Sequence, residues 1–212
     1  MIIKAIIFDF GEVLNAPVDP ELTARRFERL ARRLDLQADE LWPYLFESEA
    51  SRLWMTGKLD GDGFWTAVLE PRGIKDPDET RAFAQEVFAD HKVLHPEMVE
   101  LVKELKGRYK LAVLSNASRT EEEMEEMFQH DFGLPGDLFD TIVTSTSVGA
   151  TKPDPTIFIE VIRRLDVRPE EAIFTDDMAS FTAAAFELGI RSHTFTTPSA
   201  FLVYLREEGV LH

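Results

Sequence analysis

Six residues whose side chains could do chemistry each lie at or shortly after the end of a short apolar run: Asp9, Ser115, Asn116, Lys152, Asp176 and Asp177. Their types form a coherent set, with a carboxylate nucleophile, a hydroxyl to hold an oxygen of an anion, a lysine to neutralise charge, and two acids for a hard cation. Mg²⁺ binds few carboxylates together with water and substrate oxygens. A cation that bridges a carboxylate and a phosphoryl group offsets their mutual repulsion. The set is therefore typical of phosphoryl chemistry at a magnesium site.

The elements that must position these residues are short strands. Apolar or β-branched runs predict them at 2–8, 109–114, 141–144, 172–175 and 191–195. Amphipathic helical patterns follow at 120–130, 156–165 and 179–188. Alternating strands and helices, with strands that are almost continuously apolar, predict an α/β fold with a doubly wound parallel sheet covered on both faces. Because ligands of such sheets gather beyond the carboxyl ends of the strands, we expect the six residues to converge on one edge.

A long helical stretch interrupts this alternation between the first and second strands. Helical patterns fill it at 21–34, 38–55, 63–70, 79–89 and 96–105, and the last of them should return the chain to the sheet. We therefore predict an α/β core of residues 1–15 and 91–212 and an inserted helical cap of residues 16–90. Six aromatic residues at helical spacings should form the core of the cap, one or two of them lining a substrate pocket: Trp42, Tyr44, Phe46, Trp54, Phe64 and Trp65.

The composition limits the partners. The chain of 212 residues has 39 Asp and Glu against 23 Lys and Arg, a net charge of −16, which repels nucleic acid and anionic lipid. It has no cysteine, which excludes thiolate catalysis and thiolate metal sites. The apolar start is short and is followed by an acid, so we interpret it as a strand rather than a signal peptide. No stretch is long enough for a membrane span. We expect a cytoplasmic protein that binds neither nucleic acid nor membrane.

Four segments, in this order at the strand ends, resemble the motifs of the haloacid-dehalogenase superfamily of hydrolases. They are FDFGEVL (8–14), LAVLSNAS (111–118), GATKPDP (149–155) and IFTDDMASFTAAAFELGI (173–190). Each motif alone is weakly specific, whereas four in order are strongly so. The resemblance covers the whole chain, because the family places a substrate-covering helical cap between its first two motifs. The chain is most similar to the capped phosphatase branch, which includes sugar-phosphate phosphatases.

The resemblance implies a role for each motif residue. Asp9 would be the nucleophile that forms an aspartyl-phosphate, and Ser115 would bind the phosphoryl group, helped by backbone N–H groups near Asn116. Lys152 would orient Asp9 and the substrate. Mg²⁺ would be bound by Asp9, the carbonyl of Gly11, Asp176 and Asp177. The expected reaction is magnesium-dependent hydrolysis of a small, sugar-phosphate-like monoester by a monomer or homodimer.

Two positions depart from the family pattern. Many family phosphatases have a second aspartate two residues after the nucleophile, which protonates the leaving alcohol; here that position is Gly11, and Glu12 follows it. Some sugar-phosphate phosphatases look similar, with glycine there. Phe181 stands where the family often has Asp or Asn supporting the metal ligands from behind. The first change predicts slower loss of poor leaving groups, and the second predicts weaker metal binding.

Several alternatives remain open from the sequence. A 2-haloacid dehalogenase would use Asp9 to displace halide; Gly11 slightly favours it, but the acidic pair opposes a carboxylate substrate. A phospho-receiver module has similar residues, but its acidic pair comes near the first strand, whereas here it comes last. A catalytically weak phosphate-binding relative is the third alternative. Taken singly, Ser115-Asn116 also fits an ordinary loop, Lys152 a helix start, and the pair Asp176 and Asp177 a helix cap.

Overall fold

The computed structural model describes residues 2–15, 19–89 and 93–211. Its sheet has five parallel strands: β1 Ala5–Phe8, β2 Lys110–Ser115, β3 Thr141–Thr144, β4 Ala172–Asp176 and β5 Arg191–Thr194. Their order is β3-β2-β1-β4-β5. Every predicted strand is present, with bounds that differ by up to three residues. The chain winds outward from β1 in both directions, so the prediction of a doubly wound α/β fold is confirmed.

Eleven α-helices lie in the described parts of the chain. They are α1 Pro20–Arg33, α2 Ala38–Phe46, α3 Glu49–Met55, α4 Gly61–Leu69, α5 Pro77–Val87, α6 Pro96–Leu105, α7 Glu121–His130, α8 Ser145–Val148, α9 Pro155–Leu165, α10 Ala179–Glu187 and α11 Pro198–Glu207. Two 3₁₀ turns, Glu70–Arg72 and Pro169–Glu171, follow α4 and precede β4. None of the described helices is long and apolar enough to cross a membrane.

Helices cover both faces of the sheet because successive strand residues point to opposite sides. Ile6 and Phe8 of β1 pack with α6, α7 and α11 in one buried cluster. Ala5 and Ile7 pack with α9 and α10 in another. Both faces of the central strands are therefore excluded from solvent, which explains why their sequences are almost continuously apolar.

The helices from α1 to α5 have a third apolar cluster of their own, and we refer to them as the helical unit. Leu30, Leu41, Phe64 and Phe83 are fully buried in it. Trp54 stacks on Phe64 with ring centroids 4.2 Å apart. Most of the predicted aromatic cluster thus packs inside the helical unit, whereas Trp42 is 45% exposed. The expected domain boundaries, after residues 15 and 90, adjoin residues 16–18 and 90–92, which lie outside the described residues.

The helices differ from prediction in three places. The helix predicted over 38–55 is two helices, α2 and α3, because the hydroxyl of Ser48 accepts a hydrogen bond from the Ser51 amide (3.0 Å) and caps a new helix. α8 was not predicted because a four-residue helix shows too little periodicity. α11 was not predicted either, although Thr197-Pro198 is a helix start and Phe201 and Leu205 follow at helical spacing.

Candidate active site

The ends of three adjacent strands bring the predicted residues to one edge of the sheet. Asp9 directly follows β1, and its amide donates to the Thr175 carbonyl of β4 (3.0 Å). Ser115 is the last residue of β2 and Asp176 the last of β4. All three side chains are buried, and Asp176 is 0% exposed. The convergence expected from the topology is therefore observed, because β2, β1 and β4 are neighbours in the sheet.

Lys152 lies at the centre of this edge. Its Nζ atom is 2.8 Å from Asp9 Oδ1 and 2.5 Å from Asp176 Oδ2, and it donates to the Leu114 carbonyl at 3.1 Å. An ammonium group has three hydrogens, so these contacts use all of its donors. Lys152 is thus in contact with Asp9, and it has no further hydrogen for a substrate unless one of these bonds breaks.

Aromatic rings surround the same ammonium group. The Nζ atom lies 5.6 Å from the ring centroid of Phe174 and 5.3 Å from that of Phe181. Such contacts attract a cation electrostatically. Phe181 thus occupies the position of the expected Asp or Asn with a ring that contacts the lysine. The sequence did not single out Phe174 or the Leu114 carbonyl, because a mid-strand residue carries no local signal of what it will face.

Asn116 has a role that its sequence position did not predict. Its side chain accepts a hydrogen bond from the Lys152 amide (2.7 Å, to Oδ1) and donates one to the Lys152 carbonyl (3.1 Å, from Nδ2). This pair of bonds ties the loop after β2 to the segment that carries the lysine. The side chain of Asn116 therefore positions Lys152, a contact that goes beyond the phosphate-binding role predicted for Asn116 from the sequence.

The protonation equilibria of the site follow from burial and from its crowded acids. Burial raises the pKa of Asp9 to about 7; Lys152 opposes this shift and Asp176 adds to it. Burial pushes the pKa of Lys152 down, but the charges of Asp9 and Asp176 outweigh it and the net shift is upward. Burial, followed by the nearby charge of Asp176, raises the pKa of Asp177. The single positive charge of Lys152 therefore does not fully offset the burial and repulsion at Asp9 and Asp177.

The acids fit a divalent cation. Asp9, Asp176 and Asp177 each offer a carboxylate oxygen, and these oxygens lie within 4.8 Å of one another. Mg²⁺ prefers oxygen ligands and keeps several waters, and Asp177 is only half-buried, which leaves that side of the cluster open to water or substrate. The charge of a divalent ion would also offset the burial and repulsion that raise the pKa of Asp9 and of Asp177. The predicted magnesium site agrees with this cluster.

Gly11 and Glu12 lie beside Asp9 in the turn after β1. A Cβ atom placed on Gly11 would have Asp9 Oδ2, at 4.0 Å, as its nearest neighbour, so a side chain fits there. Glu12 is exposed and has a left-handed backbone with φ 57°. Its carboxyl group is nevertheless partly desolvated by the surrounding protein, and this desolvation, followed by the charge of Asp177, raises the pKa of Glu12. Glu12 is thus close enough to the acidic cluster to be influenced by it.

The chain belongs to the haloacid dehalogenase-like hydrolases, whose family model matches residues 3–187. It is therefore an enzyme of the hydrolase class, as the motifs implied. Among characterised proteins it is 26% identical over 209 residues to the sesquiterpene phosphatase astK of Aspergillus oryzae, covering 96% of this chain and 95% of that protein. It is 33% identical to the glyceraldehyde 3-phosphate phosphatase of Methanopyrus kandleri, covering 82% and 76%.

Solved structures share the fold. A predicted HAD-like family hydrolase from Porphyromonas gingivalis matches with a TM-score of 0.71 at 22% identity, over 97% of this chain and 98% of the other. A family enzyme from Bacteroides thetaiotaomicron, in complex with magnesium and inorganic phosphate, matches with a TM-score of 0.67 at 21% identity, over 92% and 94%. A 2-haloacid dehalogenase from Pseudomonas syringae matches with a TM-score of 0.57 at 24% identity, over 90% and 85%.

Proposed function

We propose that this chain is a magnesium-dependent phosphatase that hydrolyses a small, sugar-phosphate-like monoester through an aspartyl-phosphate on Asp9. The observation that carries the proposal is the ion-pair geometry at the sheet edge, where Lys152 holds Asp9 beside two further acids. The phosphatase names of the relatives support the reaction class. Those relatives differ in the alcohol that leaves, and what they share is a phosphate monoester.

In the first step, an oxygen of Asp9 attacks phosphorus and the bond from phosphorus to the leaving alcohol breaks. Lys152 is bonded to Oδ1, so we assign Oδ2 to the attack. The Ser115 hydroxyl and the neighbouring backbone N–H groups bind phosphoryl oxygens. Asp9, the Gly11 carbonyl, Asp176 and Asp177 would hold Mg²⁺, which would supply positive charge to offset the repulsion between the carboxylate and the phosphoryl group.

In the second step, water attacks phosphorus and the bond from phosphorus to Asp9 breaks. Inorganic phosphate leaves and the Asp9 carboxylate is regenerated. Throughout both steps Lys152 keeps Asp9 oriented, and Asn116 keeps Lys152 in place through its two backbone bonds. In this proposal the helical unit is the cap that shields the reacting groups from bulk water.

The test is phosphate release from sugar phosphates, nucleotides and phospho-acids with Mg²⁺ by the wild type and the variant Asp9→Asn. The variant keeps the size of the side chain but removes the anionic nucleophile. Turnover should therefore fall to background, while a cooperative thermal melt should show that the variant is still folded. The matched control is Asp137→Asn, an exposed aspartate in a loop, which should retain full turnover. More than a few per cent of wild-type activity in Asp9→Asn would exclude this mechanism.

One observation favours a second candidate, a 2-haloacid dehalogenase. Gly11 provides no acid for a leaving alcohol, and halide needs none. The same assays distinguish the candidates when 2-haloacids are added with a metal chelator. Halide release that persists with chelator, with phosphate esters inert, supports the dehalogenase. Phosphate binding without turnover of either substrate class would indicate a catalytically weak phosphate-binding relative.

A further inference from the structure

Thr146 lies where the helical unit meets the sheet edge. It is the second residue of α8, which directly follows β3. Its hydroxyl donates to the Ala117 carbonyl at 2.8 Å and lies 3.4 Å from the Met55 carbonyl at the end of α3. The hydroxyl has one hydrogen, which these two carbonyls share as a three-centre contact. One side chain therefore contacts both the loop that begins at Ser115 and the helical unit.

The loop that starts at Ser115, residues 115–117, is held firmly on this side. The hydroxyl of Ser145 accepts a hydrogen bond from the Ala117 amide at 3.1 Å and lies 3.2 Å from its carbonyl. The backbone N–H and C=O of Ala117 are thus both bound by hydroxyls of α8. A displacement of α8 would therefore act directly, through these hydrogen bonds, on the backbone two residues after Ser115.

The helical unit approaches Thr146 closely through Gly57, in the turn after α3. A Cβ atom on Gly57 would lie 3.3 Å from Thr146 Cγ2 and 3.5 Å from its carbonyl oxygen. Gly57 also has a left-handed backbone with φ +68°. The hydroxyl of Thr146 thus lies near the last residue of α3, and its methyl group limits the space for a side chain at Gly57, two residues further on.

We propose that Thr146 is a positioning residue that couples the placement of the helical unit to the loop that binds the phosphoryl group. The proposal rests on the proposed function in one respect, namely that residues 115–117 form that loop. Movement of the turn at Gly57 changes how Thr146 bonds to Ala117 and hence how the loop presents its N–H groups. Binding of phosphate by the loop should then depend on a side chain that does not touch the substrate.

The first test compares Thr146→Val, which removes the hydroxyl, with Thr146→Ser, which keeps it. A side-chain hydrogen bond contributes about 0.5–1.5 kcal/mol, so Thr146→Val should raise KM for p-nitrophenyl phosphate and the inhibition constant of inorganic phosphate about two- to thirteenfold. kcat should change less than twofold, and Thr146→Ser should restore both constants. The control is Thr197→Val, which removes a hydroxyl that caps α11 by accepting a hydrogen bond from the Ala200 amide. It should change only the melting temperature.

The second test introduces a steric contact with Thr146 from the side of the helical unit. Gly57→Ala places a methyl group against Thr146, whereas Gly73→Ala has the same left-handed strain, at φ +89°, with no atom within 4 Å. Both variants should melt at a lower temperature, but only Gly57→Ala should weaken inhibition by inorganic phosphate. Adding Thr146→Ser to Gly57→Ala removes the methyl group that the new Cβ atom would contact, and it should recover part of the lost phosphate inhibition.

Unchanged KM and phosphate inhibition in Thr146→Val, or equal inhibition in Gly57→Ala and Gly73→Ala, would overturn the coupling. Hydrogen exchange separates this outcome from failure of the proposed function. If the wild type hydrolyses no phosphate ester, the phosphatase proposal fails, and the coupling is then judged by exchange alone. Thr146→Val should accelerate exchange in peptides covering 53–58 and 115–118 together; acceleration in one of them only contradicts the proposal.

Discussion

At the scale of residues, the site depends on the balance of charge around Lys152. One ammonium group faces three carboxylates, two of them within 2.8 Å. Two negative charges are left over, and a divalent cation matches them. The ring of Phe181 occupies a position where the family often has Asp or Asn, and an Asp there would have added a further negative charge. We therefore interpret Phe181 as part of the environment of the lysine rather than of the metal.

Gly11 yields a prediction at the same scale. Without an acid there, a poor leaving group must depart as a partly developed alkoxide or take its proton from water, Glu12 or the substrate. Gly11→Asp should raise the ratio of alkyl to aryl phosphate turnover, because general acid catalysis contributes roughly 10²–10⁴ in rate. The backbone permits the change, since the nearest atom to the new Cβ is 4.0 Å away.

The measurement is kcat/KM for a primary alkyl phosphate and for p-nitrophenyl phosphate, in wild type and variant. Gly11→Asn, of the same size but without an acid, is the control and should leave the ratio unchanged. An unchanged ratio in Gly11→Asp, with the fold intact, would mean that Glu12 or another group already supplies the proton.

At the scale of elements, ion pairs at the start of β1 and β4 join the two central strands. Glu171 ends the 3₁₀ turn before β4, and its carboxylate lies 2.8 Å from both Lys4 and Arg168. Hydrogen bonds from Arg168, followed by one from Lys4, lower the pKa of Glu171 to about 2 from its usual 4.5. A carboxyl group whose pKa is lower in the folded chain than in the unfolded chain stabilises the fold at pH values above the unfolded-state pKa. This contribution is lost as the pH falls towards 2.

Glu171→Gln should therefore lower the melting temperature at pH 7, and its deficit relative to wild type should shrink as the pH falls from 4.5 towards 2. Thermal melts between these pH values measure the difference. Glu125→Gln, an exposed residue of α7, is the control and should follow the wild type throughout. A deficit that stays constant over this range would show that the ion pairs do not cause it.

At the scale of the whole molecule, a cation bound only by the folded chain should stabilise it. Binding at a hundred times the dissociation constant contributes about 2.7 kcal/mol, which for a chain of this size raises the melting temperature by roughly 5–10 °C. We expect this shift with Mg²⁺ in the wild type and its loss in Asp177→Asn.

Because the net charge is −16, the comparison needs NaCl at matched ionic strength, which should not reproduce the shift. Asp137→Asn is again the control and should keep the shift. Equal stabilisation of wild type and Asp177→Asn by Mg²⁺ would place the cation elsewhere and contradict the proposed ligand set.

The sequence by itself determined the fold class and the edge where the site lies. Strands and their ends leave local signals, because a buried strand needs an apolar run and a parallel sheet aligns its carboxyl ends. Asp9, Lys152 and the acidic pair could therefore be selected as a group. Helix breaks were less predictable, since a single serine cap divides the stretch 38–55 into two helices.

Only the tertiary structure decided what surrounds each selected residue. Three contacts join segments that are far apart in the chain. They are the hydrogen bonds of Lys152 to its three acceptors, those of Asn116 to the Lys152 backbone, and the close approach of Gly57 to Thr146. No local pattern encodes such contacts, because they depend on how the strands order themselves and how the helical unit packs on α8. The chemistry of single residues is thus visible in the sequence, whereas their mutual positioning arises from packing.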